Sequence, residues 1–382
     1  FAAVFMQQQG WYAMIQIGES TRLTDRVQIM NVSIALAHLF IICTLWVVDL
    51  LSLKLLFTII IFEYLIAISV AYKVLKIYKL PSEYFDREKV FREYLTYCSP
   101  LIIYSLLGFV HEFADRWLLQ SFGGSKEQAL YEVGYRFAVV SMLATTSLLN
   151  IFWKEFAEAE GNNDLKRMEV LYVKASRFLF TFGAIISGFL IPWSEDIIRL
   201  FLGPVYASGA NSLAIMLLFS IYAAAGQLNG TLLYAASRTK EYLFSGTITM
   251  ALSLPLTYFL LAPQEALLPG LELGAIGIAL KRTLLVALQM NVLVWWINRS
   301  YGWRYDWTYQ VVGLSGTLFL GWATHKVAIA LIDPVSSSLF LSAGFALFFY
   351  IIMVGIMIWA VPWVMGLQRD EFMQHLKNPF KI

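Results

Sequence analysis

The sequence predicts an all-α fold, a polytopic membrane helical bundle, and three observations lead there. The chain is 59% hydrophobic and only 14% charged, with mean hydropathy +0.65, whereas soluble domains carry about a quarter charged residues. Apolar stretches recur along the whole length, each long enough to cross a bilayer core of about 30 Å as a helix. Lysine and arginine, finally, are distributed unevenly between alternate connections. The alternating pattern of a membrane β-barrel is absent.

About ten spans of roughly 20 residues are expected, near 28–50, 52–74, 98–120, 130–153, 174–193, 211–235, 241–262, 273–297, 309–331 and 338–364. The first two are apolar runs. The third enters near Pro100, and the fourth returns after the turn "SFGGSKEQ". Between the fifth and sixth, "WSEDIIRLFLGPVYASG" alternates apolar and polar residues at helical spacing and is expected to be an amphipathic helix lying in the interface. The seventh contains Pro255 and the tenth Pro362, which read as kinks or helix ends. The eighth opens on "GAIG", and "GQLNG" at 226–230 sits in the sixth; both are expected to mark close helix packing.

Four basic residues, Lys54, Lys126, Arg199 and Lys326, fall in one set of connections, and twenty fall in the other set. The positive-inside rule makes the richer set and the C-terminus cytoplasmic. The longest connections are too short to fold as a soluble domain, and no GxxxxGK[ST] motif is present, so a nucleotide-driven motor is not encoded. Net charge is +2, which predicts no nucleic-acid partner. Cys43 and Cys98 read as small hydrophobes. The four histidines have no metal-ligand spacing and no nucleophile motif is seen, so neither an enzyme nor a cofactor is expected.

The remaining four basic residues, Arg116, Arg136, Lys281 and Arg282, lie inside spans. Glu112, Asp115, Glu132 and His111 accompany them. Such groups cost roughly 2.5–3.5 kcal/mol near a bilayer centre even on lenient scales and mark function by default. At roughly 1.5 Å per residue, His111 and Glu112 lie about 16–18 Å from the cytoplasmic end of their span. Arg136 lies roughly 10 Å inward from the outer edge, and Lys281 and Arg282 about 12 Å. Three helices thus deliver charge to one layer. His111–Asp115, Glu112–Arg116 and Glu132–Arg136 are spaced i,i+4, as same-face pairs are. Lys281 and Arg282 have no acid within reach on their own helix, so they must face water, another helix or an anionic ligand. Adjacent residues diverge by about 100°, so at most one of the two points squarely into a cavity. A charge-lined cavity among many spans with small loops predicts transport.

Several stretches carry a family resemblance. "DRWLLQSFGGSKEQALYEVGYRFAVV" (115–140) resembles the hairpin that opens the second lobe of polysaccharide flippases of the MOP (multidrug/oligosaccharidyl-lipid/polysaccharide) exporter superfamily, which include O-antigen and exopolysaccharide translocases. "IIRLFLGPVYASGANSLAIMLLFSIYAAAGQLNGTLLYAASRTKEY" (197–242) is similar to the external segment, helix and cytoplasmic turn of that family. "LLAPQEALLPGLELGAIGIAL" (260–280) resembles its Pro-ended helix, loop and helix start, and "QQQGWYAMIQI" (7–17) its cytoplasmic turn between the fourth and fifth helices.

The resemblance implies an MOP-exporter-like fold of about fourteen helices of roughly 20 residues each, of which about ten are present, with the N-terminal end truncated. Residues 1–76 would be the remnant of an N-terminal lobe, 77–97 a cytoplasmic linker, 98–297 a six-helix C-terminal lobe and 298–382 two further helices and a tail. It implies a multi-pass protein of the cytoplasmic (inner) membrane that flips a polyprenyl-diphosphate-linked glycan by alternating access, in contact with membrane lipid and with polysaccharide-assembly membrane proteins. Arg136, Lys281, Arg282, Arg116 and Glu112 are the expected substrate-binding residues. His111, Glu112, Asp115 and Glu132 are the expected carriers of a coupling ion, H+ or Na+. The family's cavity is often cationic, whereas the local sum here is only +1. The rival readings are a cation-coupled multidrug exporter and a membrane-embedded glycan polymerase or transferase. The latter would want a large external loop.

The basic bias yields a topology prediction. Single cysteines near Lys166, Lys240 and Arg304, in the otherwise Cys-free full-length protein, should react from the cytoplasmic side. Those near Lys126, Ser208 and Ser336 should react from the outside. Same-side labelling of positions 126 and 166 would overturn the span count.

Overall fold

The computed structural model describes residues 2–21, 23–50, 52–76, 87–332 and 339–367. Most of the expected cytoplasmic tail, Ser336 and residues 77–86 of the expected linker lie outside the described residues. Within them every regular element is a helix. Eight helices are long and apolar enough to cross a membrane. The chain divides into two compact units, 1–93 and 94–382.

The first unit holds α1 (Ala2–Ser20), α2 (Thr24–Val47) and α3 (Leu53–Val74). The stretch 7–17, expected as a turn, is helical throughout. Its Gln, Met, Ala and Ile residues are compatible with a helix, and Trp11 is buried with Val27, Ala67, Ala71 and Leu75. α1 ends only at Ser20, and α2 begins at Thr24. Ser52 caps α3 by accepting from the Leu55 N–H at 3.4 Å. At the other end of α3, Arg26 donates to the Val74 carbonyl at 3.1 Å, supplying a cation where the helix leaves its last carbonyls open.

The second unit begins within a long helical run, α4 (Arg87–Gly161), which Gly124 breaks into two arms. Gly124 has φ +74, a conformation that a Cβ would strain, so the turn seen in "SFGG" is this residue. The arms contain the expected spans 98–120 and 130–153. There follow α5 (Leu165–Leu190), the short α6 (Ser194–Leu202), α7 (Ala210–Ala235), α8 (Thr239–Leu261), α9 (Gly274–Tyr301), α10 (Thr308–Ile332) and α11 (Leu339–Ala360). The expected amphipathic helix is α6. It buries Ser194 and Ile198 and exposes Leu200 and Phe201.

Caps and polar joints fix the helices against one another. The Glu127 carboxylate, just past the Gly124 turn, accepts the Ala275 N–H at 2.8 Å and so places a negative charge at the N-terminus of α9. Asp164 caps α5 through the Arg167 N–H at 2.9 Å. Deep in the unit, Tyr172 of α5 donates to Asn229 of α7 at 2.8 Å, and Asn229 donates to the Met290 carbonyl of α9 at 3.1 Å. That joint holds three helices in one register. Between α9 and α10, the Thr308 hydroxyl and N–H, with Arg177 beside them, hold the Asp306 carboxyl below the usual carboxylate range. Pro255 lies inside α8, and Pro362 opens a final 3-10 turn where α11 has ended.

Of the small-residue motifs, Gly230 packs under the Tyr242 ring and Gly226 faces Met290, so "GQLNG" does serve close packing. The tightest crossing was not foreseen. A Cβ on Gly188 of α5 would meet the Thr317 carbonyl of α10 at 2.8 Å, and Gly321 faces the Gly188 carbonyl in return. Backbone approaches backbone here, as small residues permit between membrane helices. Gly321→Val should therefore lower the stability of the purified protein by about 1–3 kcal/mol, the cost of overpacking. Gly344→Val, at a position with open space around its Cα, should change it little in the same thermal-denaturation assay.

Candidate functional site

The charged layer expected from the sequence forms, and its bonds run between helices. Asp115 of the N-terminal arm of α4 and Lys281 of α9 are both buried and make an ion pair. Thr257 of α8 joins them, with its hydroxyl 2.7 Å from Asp115 Oδ1 and 3.0 Å from Lys281 Nζ. The same hydroxyl lies 2.8 Å from the Ser253 carbonyl, so its single proton has two acceptors and Lys281 donates to its lone pair. One turn earlier on α4, His111 Nε2 is 2.7 Å from Ser253 Oγ and 3.6 Å from Asp115 Oδ2. Three helices are thereby tied by one polar cluster.

Arg282, the next residue along α9, points elsewhere. Its guanidinium donates to Glu112 Oε1 at 3.2 Å and to the Tyr131 hydroxyl at 3.2 Å. It also lies over the rings of Tyr135 at 4.7 Å and Phe219 at 5.5 Å, a cation–π arrangement. Two clefts meet at this residue. One, about 440 Å³, is lined by Tyr135, Met142, Phe219 and Gln227; the other, about 540 Å³, by Tyr104, His111, Glu112 and Ser253. Arg282, Val286 and Gln289 line both, so one face of α9 forms the ridge between them.

The third group lies nearer the turn. Arg136 bonds Glu132 at 2.9 Å, and Arg116 approaches the same carboxylate at 3.6 Å. The Arg136 side chain is 75% exposed. The expected i,i+4 pairs therefore form at His111–Asp115 and Glu132–Arg136. The third does not, because Glu112 turns to Arg282 and Arg116 turns to Glu132. A partner on a neighbouring helix, half buried and fixed by aromatic packing, competes well against one on the same exposed face. Lys281 and Arg282, expected to diverge, do so: one is consumed by Asp115 and the other faces both clefts.

Sequence reasoning missed Thr257, Ser253, Tyr131 and the aromatic pair Tyr135 and Phe219. A signal for the first two was present. Ser253 and Thr257 are i,i+4 on a helix that contains Pro255, which puts two hydroxyls on one face toward a charged neighbour. It also missed Glu63, an acid in the middle of α3.

Chemically, the Lys281 ammonium is engaged by Asp115 and Thr257 at the wall of the larger cleft, whereas Arg282 keeps further N–H donors beyond the two it uses, at the meeting of two clefts. Such a guanidinium can take an anionic oxygen in bidentate fashion. Among the described residues no group of three or more His, Cys, Asp or Glu could hold a metal ion.

Residues 100–259 match the MatE family model. A solved structure described as the lipid II flippase MurJ in an inward closed conformation shares the fold, with TM-score 0.56 at 15% identity over 78% of this chain. The chain spans 61% of the length of that structure. No curated protein sequence matches it. The matches agree with the resemblance to the MOP superfamily, and the eight helices of spanning length and apolarity fit a multi-pass membrane protein.

The Asp115–Lys281 pair makes a stability prediction. Removing one partner leaves an uncompensated buried charge, which costs about 3–5 kcal/mol. Asp115→Leu and Lys281→Met should each destabilise strongly. The double variant Asp115→Leu/Lys281→Met should recover most of the loss, because matched apolar replacement of a buried pair is often neutral. Denaturation of the four proteins in detergent measures the coupling, and additive losses would contradict the pairing.

Proposed function

We propose that this chain translocates a polyprenyl-diphosphate-linked oligosaccharide across the cytoplasmic membrane for surface polysaccharide biosynthesis. The observation that carries the reading is the Arg282 guanidinium at the junction of two clefts, half sheltered, with donors to spare. A diphosphate offers oxygens that match a guanidinium fork. Within the charged layer Asp115 neutralises Lys281 and Glu112 neutralises Arg282, while Glu132 alone faces both Arg116 and Arg136. The excess of one positive charge thus sits on the two arginines nearest the turn. Arg282 would hold the diphosphate first, Arg136 and Arg116 would draw it outward, and the polyprenyl tail would stay in lipid. The MatE match and the fold shared with a lipid II flippase support a lipid-linked substrate. Alternating access between lobes supplies the motion. The reading places the protein in the inner membrane with its C-terminus cytoplasmic.

Coupling to H+ or Na+ through His111, Glu112, Asp115 or Glu132 belongs to the same proposal. Of these, His111 and Glu112 line the larger cleft and have access to water there. A multidrug exporter of organic cations would want an unpaired acid in the cleft, but Glu112 already faces Arg282. That favours an anionic head group.

A hydrogen bond to a charged group contributes about 1.5–3 kcal/mol, so losing one weakens binding by roughly 10–100-fold. Arg282→Gln should weaken binding of a short-chain polyprenyl diphosphate by that factor in native mass spectrometry of the purified full-length protein. Arg282→Lys should keep part of the affinity, since charge remains and the fork is lost. Arg136→Gln should reduce export more than binding. Unchanged binding and export with glutamine at 282 and 136, at normal protein levels, would sink the reading.

A further inference from the structure

The first unit carries an ionisable pair that the transport site does not use. His38 lies in the interior of α2 and Glu63 midway along α3, roughly 15 Å from either end of that helix at about 1.5 Å per residue. His38 Nδ1 and Glu63 Oε2 are 2.7 Å apart. The surrounding positions Leu36, Leu39, Phe40, Phe62, Leu65 and Ile66 are large, apolar and exposed, as a hydrocarbon-facing collar requires. An acid at this depth is expensive and marks function by default.

The way the pair is satisfied is unusual. His38 occupies one carboxylate oxygen, but Glu63 Oε1 is buried with no hydrogen-bond partner among the described residues. A pair kept only for packing would have both oxygens met, because an unmet buried acceptor costs about 1–3 kcal/mol and more when charged. Glu63 also lines two cavities of about 310 and 380 Å³, which share Trp11 and Ile34. Asn31, His38 and Tyr64 line the smaller one. The smaller cavity is polar enough and large enough to hold water. The titratable groups facing Glu63 are His38 from α2 and Tyr64 from α3, and Tyr12 from α1 lies beside Tyr64.

We propose that the His38–Glu63 pair is a proton-binding station. A proton delivered by hydronium through the cavity adds to Glu63 Oε1, forming an O–H bond and leaving water, while the His38 bond to Oε2 is retained. Release to water reverses the step, and no other bond changes. Loading adds one positive charge to the mid-membrane site. Only what the proton drives rests on the transport reading; the binding itself does not.

Infrared difference spectroscopy of the full-length protein in nanodiscs, titrated with pH, tests the binding directly. A protonated-carboxyl band should rise as pH falls, vanish in Glu63→Gln and shift its midpoint in His38→Gln. Glu63→Asp, which keeps the acid, should keep the band with a moved midpoint, and it serves if the glutamine variant does not fold. An unchanged band in Glu63→Gln overturns the proposal, as does a carboxylate signal that answers to Na+ and not to pH. In proteoliposomes carrying a short-chain lipid-linked glycan, the same variant should lose the acceleration that a pH gradient gives the wild type, while glycan binding is kept. If no glycan moves in the wild type, the transport reading fails and the infrared result still decides the station.

Discussion

A lysine ammonium sits at 1% side-chain exposure inside a bundle that faces hydrocarbon, and the second unit is organised around making that tolerable. Charge buried without a partner is prohibitive, and a single carboxylate offsets it only when the remaining donors and acceptors are also met. Asp115 supplies the charge and Thr257 bridges both members. His111 and Ser253 extend the contact to a second turn of α4 and α8. The arm of α4, α8 and α9 therefore cannot slide past each other by a turn without breaking it. The placement of Arg282 follows. With Lys281 turned inward, the next residue is rotated by about 100° and must emerge beside it. There it meets Glu112, Tyr131 and the ring of Tyr135.

Much of this was legible in the sequence. Hydropathy located the membrane helices, the SFGG turn located the break at Gly124, and the depth argument put residues 112, 115, 281 and 282 in one layer before any contact was known. What could not be read was which acid meets which base. The i,i+4 spacing offers Glu112 to Arg116 and also leaves it free to reach across, and only packing of the aromatic residues around Arg282 decides between them. Thr257 and Ser253 are ordinary residues in a membrane helix until a charged neighbour is known to lie opposite. The Gly188–Gly321 crossing escaped notice because its two glycines lie far apart in sequence, and small-residue motifs are recognisable only within one helix. Glu63 escaped for a different reason: a lone acid in "IIIFEYLIAI" acquires meaning only when His38 is found beside it.

Burial also sorts the ion pairs by how readily a ligand can displace a partner. The Asp115 side chain is 4% exposed and Glu112 46%. Withdrawing Asp115 from Lys281 would strand a charge in low dielectric, so that pair resists displacement by an anion. Withdrawing Glu112 from Arg282 costs much less, because a half-exposed carboxylate regains water as it leaves. In the proposed transport a diphosphate entering either cleft takes the place of Glu112 without disturbing the Asp115–Lys281 pair one residue away. Release can restore the original pair, so the site returns to a neutral resting state. A cleft whose resting charges cancel admits an anion without holding it permanently, as the proposed transport requires.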